Sequence, residues 1–219
     1  SAMEQEIQLA RMETKLAKQS AELSDSRINI MLSQIQPHFL FNALTSISVL
    51  CEKNPMKAQT ALNDFADYLR GNLDSLRRTA PVPFSKELKH IKIYLSLEQM
   101  RFESELNVVY DIEADSFLLP ALTVQPLVEN AVKYGVGKKP GGGTVTISTR
   151  EEATCFSITV ADDGVGYDPQ ETQYDGCTHI GIDNVRARLA AMVGGTLTIQ
   201  SEKGRGTSAT IQLPKGKLT

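Results

Sequence analysis

Tryptophan is absent from the 219 residues, aromatics make up only 6% of them, and cysteine and histidine occur three times each. Cys51, Cys155 and Cys177 are odd in number and lack paired spacing. With three scattered histidines they form no zinc signature, and a reducing cytoplasm is the simplest reading. No signal peptide and no uninterrupted apolar run long enough to span a bilayer is present. The expectation is a cytoplasmic fragment that meets a membrane only through segments missing here, because a membrane-anchored parent trimmed to its soluble part would look the same. Ser1-Ala2 ahead of Met3 resembles a cloning scar. Neither charge sign dominates: 23 basic against 26 acidic residues give a formal charge of −3, and nothing argues for a nucleic-acid partner. Charged and apolar fractions of 22% and 41% are ordinary for a globular chain, which excludes wholesale disorder. The length suits one large domain or two small ones.

Residues 1–30 are expected to form a coiled-coil-like helix. Met3 to Ser26 contains no Gly or Pro, and Leu9, Leu16, Leu23 and Ile30 recur by sevens. Gln19 and Ser26 at companion positions make the seam marginal, so it needs a partner chain. Residues 31–80 read as a helical hairpin. Its first stripe is Ile28, Met31, Leu32 and Ile35, then Leu40, Phe41, Leu44 and Ile47. Pro37 interrupts that stripe directly before His38, either bending one helix or starting another. Asn54-Pro55 is a good restart, with Asn as N-cap and Pro at the first helical position. Ala58, Ala61, Leu62, Phe65, Leu69, Leu73 and Leu76 then mark the second helix. One hairpin cannot bury both stripes, whereas two make a four-helix bundle, so a homodimer is expected.

Pro81 and Pro83 open a connecting helix at residues 81–104, capped by Ser85 and carrying Leu88, Ile91, Leu95 and Phe102. Over residues 105–216 the pattern changes to strands and helices without strict βαβ alternation. The fold class expected is therefore α+β, the bundle being followed by an α/β sandwich with one sheet backed by helices.

Four stretches carry candidate chemistry. In LVENAVKYG, Asn130, Lys133 and Tyr134 stand at i, i+3 and i+4 on one helix face. An amide oxygen beside an ammonium suits magnesium and a polyphosphate, since Mg²⁺ takes oxygen ligands and needs few from the protein. A solvated polar face would look the same. In ADDGVGYDP, Asp163 ends an apolar strand, and Gly164 and Gly166 permit sharp turns. A buried carboxylate there could accept from the amino group of adenine, although Asp-Gly turns are common. The polar stretch from Tyr167 to Ile180 leads into Gly181 and a helix start, where backbone N–H groups can meet phosphate. GRGTSATIQLP brings Gly204, Gly206 and Thr207, which hairpin chemistry alone would also explain.

In this order the four stretches resemble the ATP-binding domain shared by gyrase, histidine kinases and MutL. With QPHFLFN upstream, the chain resembles the autolysin-sensor (LytS-like) sensor histidine kinase family from about Leu32 to Pro214; QPHFLFNALTSI and TVQPLVENA are the most specific pieces. The resemblance implies that His38 is the phosphoacceptor, Asn130 the magnesium ligand and Asp163 the adenine reader. Lys133 and Tyr134 would meet the nucleotide, and Gly164, Gly166, Gly181, Gly204, Gly206 and Thr207 would shape its pocket. Asn184 matches the family's Asn in GL-x-N. Tyr134 stands where the family commonly has His, while His179 and Ile182 replace a Gly and a Leu of its G-I-G-L.

The reaction implied is transfer of the γ-phosphoryl of ATP, with Mg²⁺, to a ring nitrogen of His38. The group would then pass to an aspartate in the receiver domain of a response regulator. Phe39 occupies the place of the acidic residue that follows the histidine in larger kinase families, so Glu129 is the candidate helper. Asn42, one turn after His38, could orient a water for removing phosphate from the regulator, or could simply pack within the bundle. The rival readings are a dimeric scaffold that only senses ATP, a plain ATP hydrolase of the same superfamily, and a protein-binding hairpin joined to an unrelated domain.

Overall fold

The structure, a computed structural model, describes residues 37–76, 78, 80–168 and 179–217. Ser1–Leu44 and Thr45–Thr219 form two compact units. The expected heptad seam from Leu9 to Ile30 and the chain ahead of Pro37 lie outside the described residues.

Helix α1 spans Pro37–Lys53 and α2 spans Pro55–Leu76. The break falls at Asn54, whose Oδ1 accepts from the Lys57 N–H at 3.0 Å. Its own N–H donates to Leu50 O at 2.7 Å. Asn54 thus closes one helix and caps the next, and Pro55 fills a first-turn position that needs no donor.

Apolar residues on these helices fall into two stripes rather than one. Phe39, Ala43 and Ile47 on α1 are buried, as are Ala58, Ala61, Phe65 and Tyr68 on α2. Phe41 is 72% exposed and Met56 74%, and Leu44, Val49, Leu62 and Leu73 are open as well. Of the stripe expected on α1, only Ile47 is buried, and on α2 Leu62 and Leu73 face outward. On α2 the small residues Ala58 and Ala61 lie on the buried face and the bulkier Leu62 and Leu73 on the open one.

Helix α3 spans Phe84–Phe102 and begins one residue before Ser85, which is exposed in the first turn and caps nothing. The Phe84 N–H donates to Phe117 O at 2.9 Å. Its fully buried ring stacks on Phe117, which stacks on Phe156, each pair at 4.9 Å. With that amide already satisfied, a side-chain cap is superfluous. Strands β1 (Val82–Pro83) and β3 (Leu118–Leu119) form a short antiparallel pair beside it.

The main sheet contains β2 (Leu106–Ile112), β4 (Gly143–Glu151), β5 (Cys155–Asp162), β6 (Thr196–Glu202) and β7 (Gly206–Pro214), in the order β2-β4-β5-β7-β6. Only β2 and β4 run parallel. Their connection carries α4 (Gln125–Asn130), continued by a π turn over Ala131–Gly135. Register places Ile147, Val160, Ala209 and Ile199 in one row, and Thr149, Ile158, Ile211 and Leu197 in the next. These rows face the helices, among them α5 (His179–Val193), whose Val185, Leu189 and Val193 are buried at spacings of four. The opposite face is polar and β-branched, with Ser148, Thr159 and Thr210 in register across three strands. This is the expected α+β sandwich.

Glu87, in the first turn of α3, is buried against the start of α4. Its Oε1 accepts from the N–H groups of Val124 at 2.5 Å and Gln125 at 3.2 Å, so the carboxylate caps a helix that has no cap of its own. Oε2 finds no partner among the described residues. Burial pushes the Glu87 carboxyl up to about 7 from 4.5, against the pull of those backbone donors and of Arg188. The folded chain therefore favours the protonated acid. This contribution is fully present below pH 4.5 and is lost as the pH rises through 7. Glu87→Gln keeps an acceptor for both N–H groups and cannot ionise. The Tm of the variant relative to the parent should climb between pH 4.5 and 7, by an amount equivalent to at most ~3 kcal/mol, and then level off. A difference that stays flat over that window would rule the assignment out.

Candidate functional site

A cavity of about 400 Å³ opens among α4, its π turn, α5 and strands β5, β6 and β7. Its walls are aliphatic, from Leu127, Val160, Ile182, Ile199 and Ala209, and its polar lining includes Asn130, Asp162, Arg186 and Thr207. Tyr134 and Tyr167 add two aromatic edges.

The carboxylate in this cavity is Asp162, not Asp163. Asp162 ends β5 on the inward row, in register with Val145 and Thr207, and is 9% exposed. Its Oδ1 accepts from the Gly164 N–H at 2.9 Å. Burial pushes its carboxyl up to about 6, against the pull of the Gly164 and Thr207 backbone donors. Asp163 is the next residue along an extended chain and so points the other way. Its exposed carboxylate accepts from the Thr144 N–H at 2.8 Å and pairs with Lys139 at 3.5 Å, fastening the loop that leads into β4. The expected role of Asp163 as adenine reader is corrected on this ground. The signal was present in the sequence, because Ile158, Val160 and Asp162 share one parity.

Asn130 and Tyr134 line the cavity, and Lys133 does not. The expected shared face assumed an α-helix. The π turn, with its wider i→i+5 winding, advances each residue by a smaller angle. Four residues then return close to one bearing while three fall short of it, so Tyr134 stays with Asn130 and Lys133 turns outward. The exposed Lys133 ammonium lies 4.8 Å from the centre of the Tyr134 ring.

Gly135, which the sequence reading passed over, ends the π turn against Asp162, and a Cβ there would overlap the carboxylate. At Gly164 a Cβ would run into the Gly135 backbone, and at Gly206, with φ +103°, into Asp162 O. Gly166 lines the cavity at φ +56°. Gly204, at φ +82°, takes a turn with open space around it, and Gly181 likewise meets nothing. Asn184 is exposed on α5 outside the cavity lining. Residues 169–178 and the side chain of His179 lie outside the described residues.

Glu129 does not line the cavity either. Its Oε1 accepts from Gln125 Nε2 at 2.8 Å and from the Tyr68 hydroxyl at 3.4 Å, which turns it toward α2. In the other unit, His38 is exposed on α1, and the Asn42 amide nitrogen lies 3.1 Å from its Nδ1 and 3.4 Å from its Nε2.

Chemically, a slot with aliphatic walls and one buried carboxylate suits a flat heteroaromatic ring bearing an amino group. Among the described residues no three His, Cys, Asp or Glu side chains gather as a metal cluster. Asn130 is the neutral polar side chain that α4 brings to this cavity.

The family described as histidine kinase matches residues 26–106. That described as histidine kinase-, DNA gyrase B- and HSP90-like ATPase matches residues 118–217. The protein YwpD of Bacillus subtilis (strain 168) is 37% identical over 195 residues, 85% of this chain and 69% of its own length. Sensor protein LytS of the same organism is 34% identical over 212 residues, 91% of this chain, which spans only 36% of LytS. The histidine kinase domain of the blue-light activated histidine kinase from Erythrobacter litoralis has the same fold, with a TM-score of 0.52 at 15% identity over 90% of this chain and 94% of that one. No helix among the described residues is long and apolar enough to cross a membrane. With two adjoining family matches that together take in most of the chain and follow the order of its helices and its sheet, the chain belongs to the histidine kinase family.

Proposed function

We propose that this chain is the catalytic core of a sensor histidine kinase, transferring the γ-phosphoryl group of ATP to His38 and from there to an aspartate of a response regulator. The observation that carries the reading is the buried Asp162 carboxylate in an aliphatic slot, with Asn130 on the same cavity. Asp162 accepts from the exocyclic amine of adenine while Tyr134 and Tyr167 border the base. Asn130 holds magnesium through its amide oxygen, and the ion when bound neutralises phosphate charge. Lys133, outward beside Tyr134, supplies a further positive charge at short range.

In the transfer, a lone pair on a ring nitrogen of neutral His38 forms the N–P bond, the bond from the γ-phosphorus to the bridging oxygen breaks, and ADP departs. The ring proton leaves as the phosphoimidazole forms. Asn42 stands next to the ring and holds its orientation. Glu129, expected as helper, is bound to Gln125 and Tyr68, and a holding role describes it better. Incubation with γ-labelled ATP and magnesium should label the parent, with the label lost in acid and kept in base, and leave His38→Ala unlabelled. Tight ATP binding without label would favour a sensing scaffold, and label surviving in His38→Ala would mean another acceptor.

The Asp162 assignment has a pH signature. Its carboxyl titrates near 6 in the free protein, and the ionised form is the better acceptor. ADP affinity should hold above that pH and fall as the pH drops through it, by at most about tenfold per pH unit. Asp162→Asn should weaken ADP by about tenfold or more at pH 8. The parent-to-variant ratio cancels the titration of the nucleotide's own phosphates. Asp163→Asn should bind within about twofold of the parent. Equal losses in the two variants, or a ratio that ignores pH, would remove Asp162 from the site.

The outer stripe of the helices gives the partner. Val49, Met56, Leu62 and Leu73 are exposed apolar residues on α1 and α2, and a second copy of the chain covers them in a four-helix bundle. Sedimentation of the parent should give a dimer, and Met56→Glu with Leu62→Glu a monomer that still binds ATP. A monomeric parent at micromolar concentration would exclude this arrangement.

A further inference from the structure

Helix α4 has only six residues before its π turn, too short a segment to hold itself in place. Glu87 fixes its first N–H groups. A second set of bonds runs along its flank. Gln125 and Glu129 stand at i and i+4 and face α2, one residue away from Asn130 on the cavity side. Gln125 Nε2 donates to Glu129 Oε1 at 2.8 Å and reaches Tyr68 Oη and Asn72 Oδ1, each at 3.2 Å. The Tyr68 hydroxyl donates to Glu129 Oε1 at 3.4 Å, which closes a three-membered ring between α2 and α4.

The outer part of the network sets the direction of these bonds. His90 Nε2 meets Asn72 Oδ1 at 3.1 Å. Burial lowers the His90 ring to about 4, so it is neutral at physiological pH and donates from that nitrogen. Asn72 Oδ1 accepts that proton, and the two N–H of Gln125 are shared among Glu129 Oε1, Tyr68 Oη and Asn72 Oδ1. The Tyr68 ring is wedged in parallel against His90, with centroids 4.9 Å apart and 3° between planes. Its hydroxyl therefore comes to α4 on a fixed support. Tyr68 belongs to the stretch that matches the histidine kinase family, and Gln125, Glu129 and Asn130 to the ATPase match. Both lie in the compact unit Thr45–Thr219.

We propose that Tyr68 is a positioning residue for the nucleotide: through Gln125 and Glu129 its hydroxyl fixes the bearing of α4, and so of Asn130, making α2 a determinant of how much magnesium strengthens ATP binding. This rests on reading Asn130 as the magnesium ligand. Adenine binding at Asp162 depends on β5 and is untouched by it.

Tyr68→Phe removes one oxygen and keeps the stacked ring. ATP affinity is measured by calorimetry with saturating magnesium and again with EDTA, and amide hydrogen exchange is followed over Leu127–Ala131 in the nucleotide-free protein. The variant should match the parent within about twofold in EDTA yet lose roughly fivefold or more of the magnesium enhancement. It should exchange faster over α4 with its Tm nearly unchanged. Asn130→Ala should lose the enhancement as well, and adding Tyr68→Phe to it should cost little more. Tyr68→Phe with the full enhancement, beside an Asn130→Ala that has lost it, would overturn the proposal alone. An Asn130→Ala protein that keeps the enhancement would overturn the reading of Asn130 and this proposal together. Weakening by the same factor with and without magnesium, with a lowered Tm, would make Tyr68 structural support only and would also overturn it.

Discussion

The cavity depends on three backbone segments closing on one carboxylate. The π turn ends at Gly135, the chain leaving β5 turns at Gly164, and β7 begins at Gly206, each so close to Asp162 or to one another that a Cβ would collide. This crowding has an electrostatic effect. It strips water from Asp162, which raises its pKa toward 6 even with two backbone donors in attendance. On the proposed reading this carboxylate, besides its backbone donors, receives the amino group of adenine. A ring lacking an amino group would not make that bond, and a site built on a buried hydrogen bond rejects such a ligand far more strongly than an apolar slot would. Discrimination at this site therefore comes from a packing constraint, with the hydrogen bond as its readout.

Most of the architecture was legible because it follows from periodicity. Alternation along LNVVYDI and TCFSITVADD gave strands, spacings of three and four gave helices, and Asn54-Pro55 marked a break that the Asn54 cap confirms. The errors share a cause: periodicity fixes an element and leaves its phase open. In β5 a slip of one residue moved the functional carboxylate from Asp162 to Asp163, onto the opposite face. In α4 an assumed α winding kept Lys133 with Asn130, whereas the π turn rotates it away. In α1 and α2 both stripes are apolar, and hydrophobicity alone could not say which of the two is buried. Glu87 left no local sign at all, since it caps a helix 37 positions away.

Besides its buried Leu127 and Val128, α4 is bound on its flanks by polar groups. Glu87 meets its first turn from α3, Gln125 and Glu129 meet Tyr68 and Asn72 from α2, and His90 supports Asn72. Replacing such groups with well-packed aliphatics would often cost a fold little stability. What would be lost is direction, because leucine against leucine tolerates small rotations and a ring of three hydrogen bonds does not. That matters for α4 because it is short and its two polar faces serve different masters, one the cavity and the other α2. A rotation of the helix that relieved one face would misplace the other.

The same reasoning separates the two ends of the site. Asp162 is held by strands whose ladder of backbone bonds is continuous from β4 to β7, so its place is fixed by the sheet. Asn130 stands on a six-residue helix that side chains from α2 and α3 fasten at Val124, Gln125 and Glu129. The Asp162 end is thus rigid by construction, and the Asn130 end is rigid only while the helices agree on it. On the proposed reading, movement of α2 would alter the handling of phosphate while the base remains bound, since the bonds that would yield first are the directional ones at Tyr68.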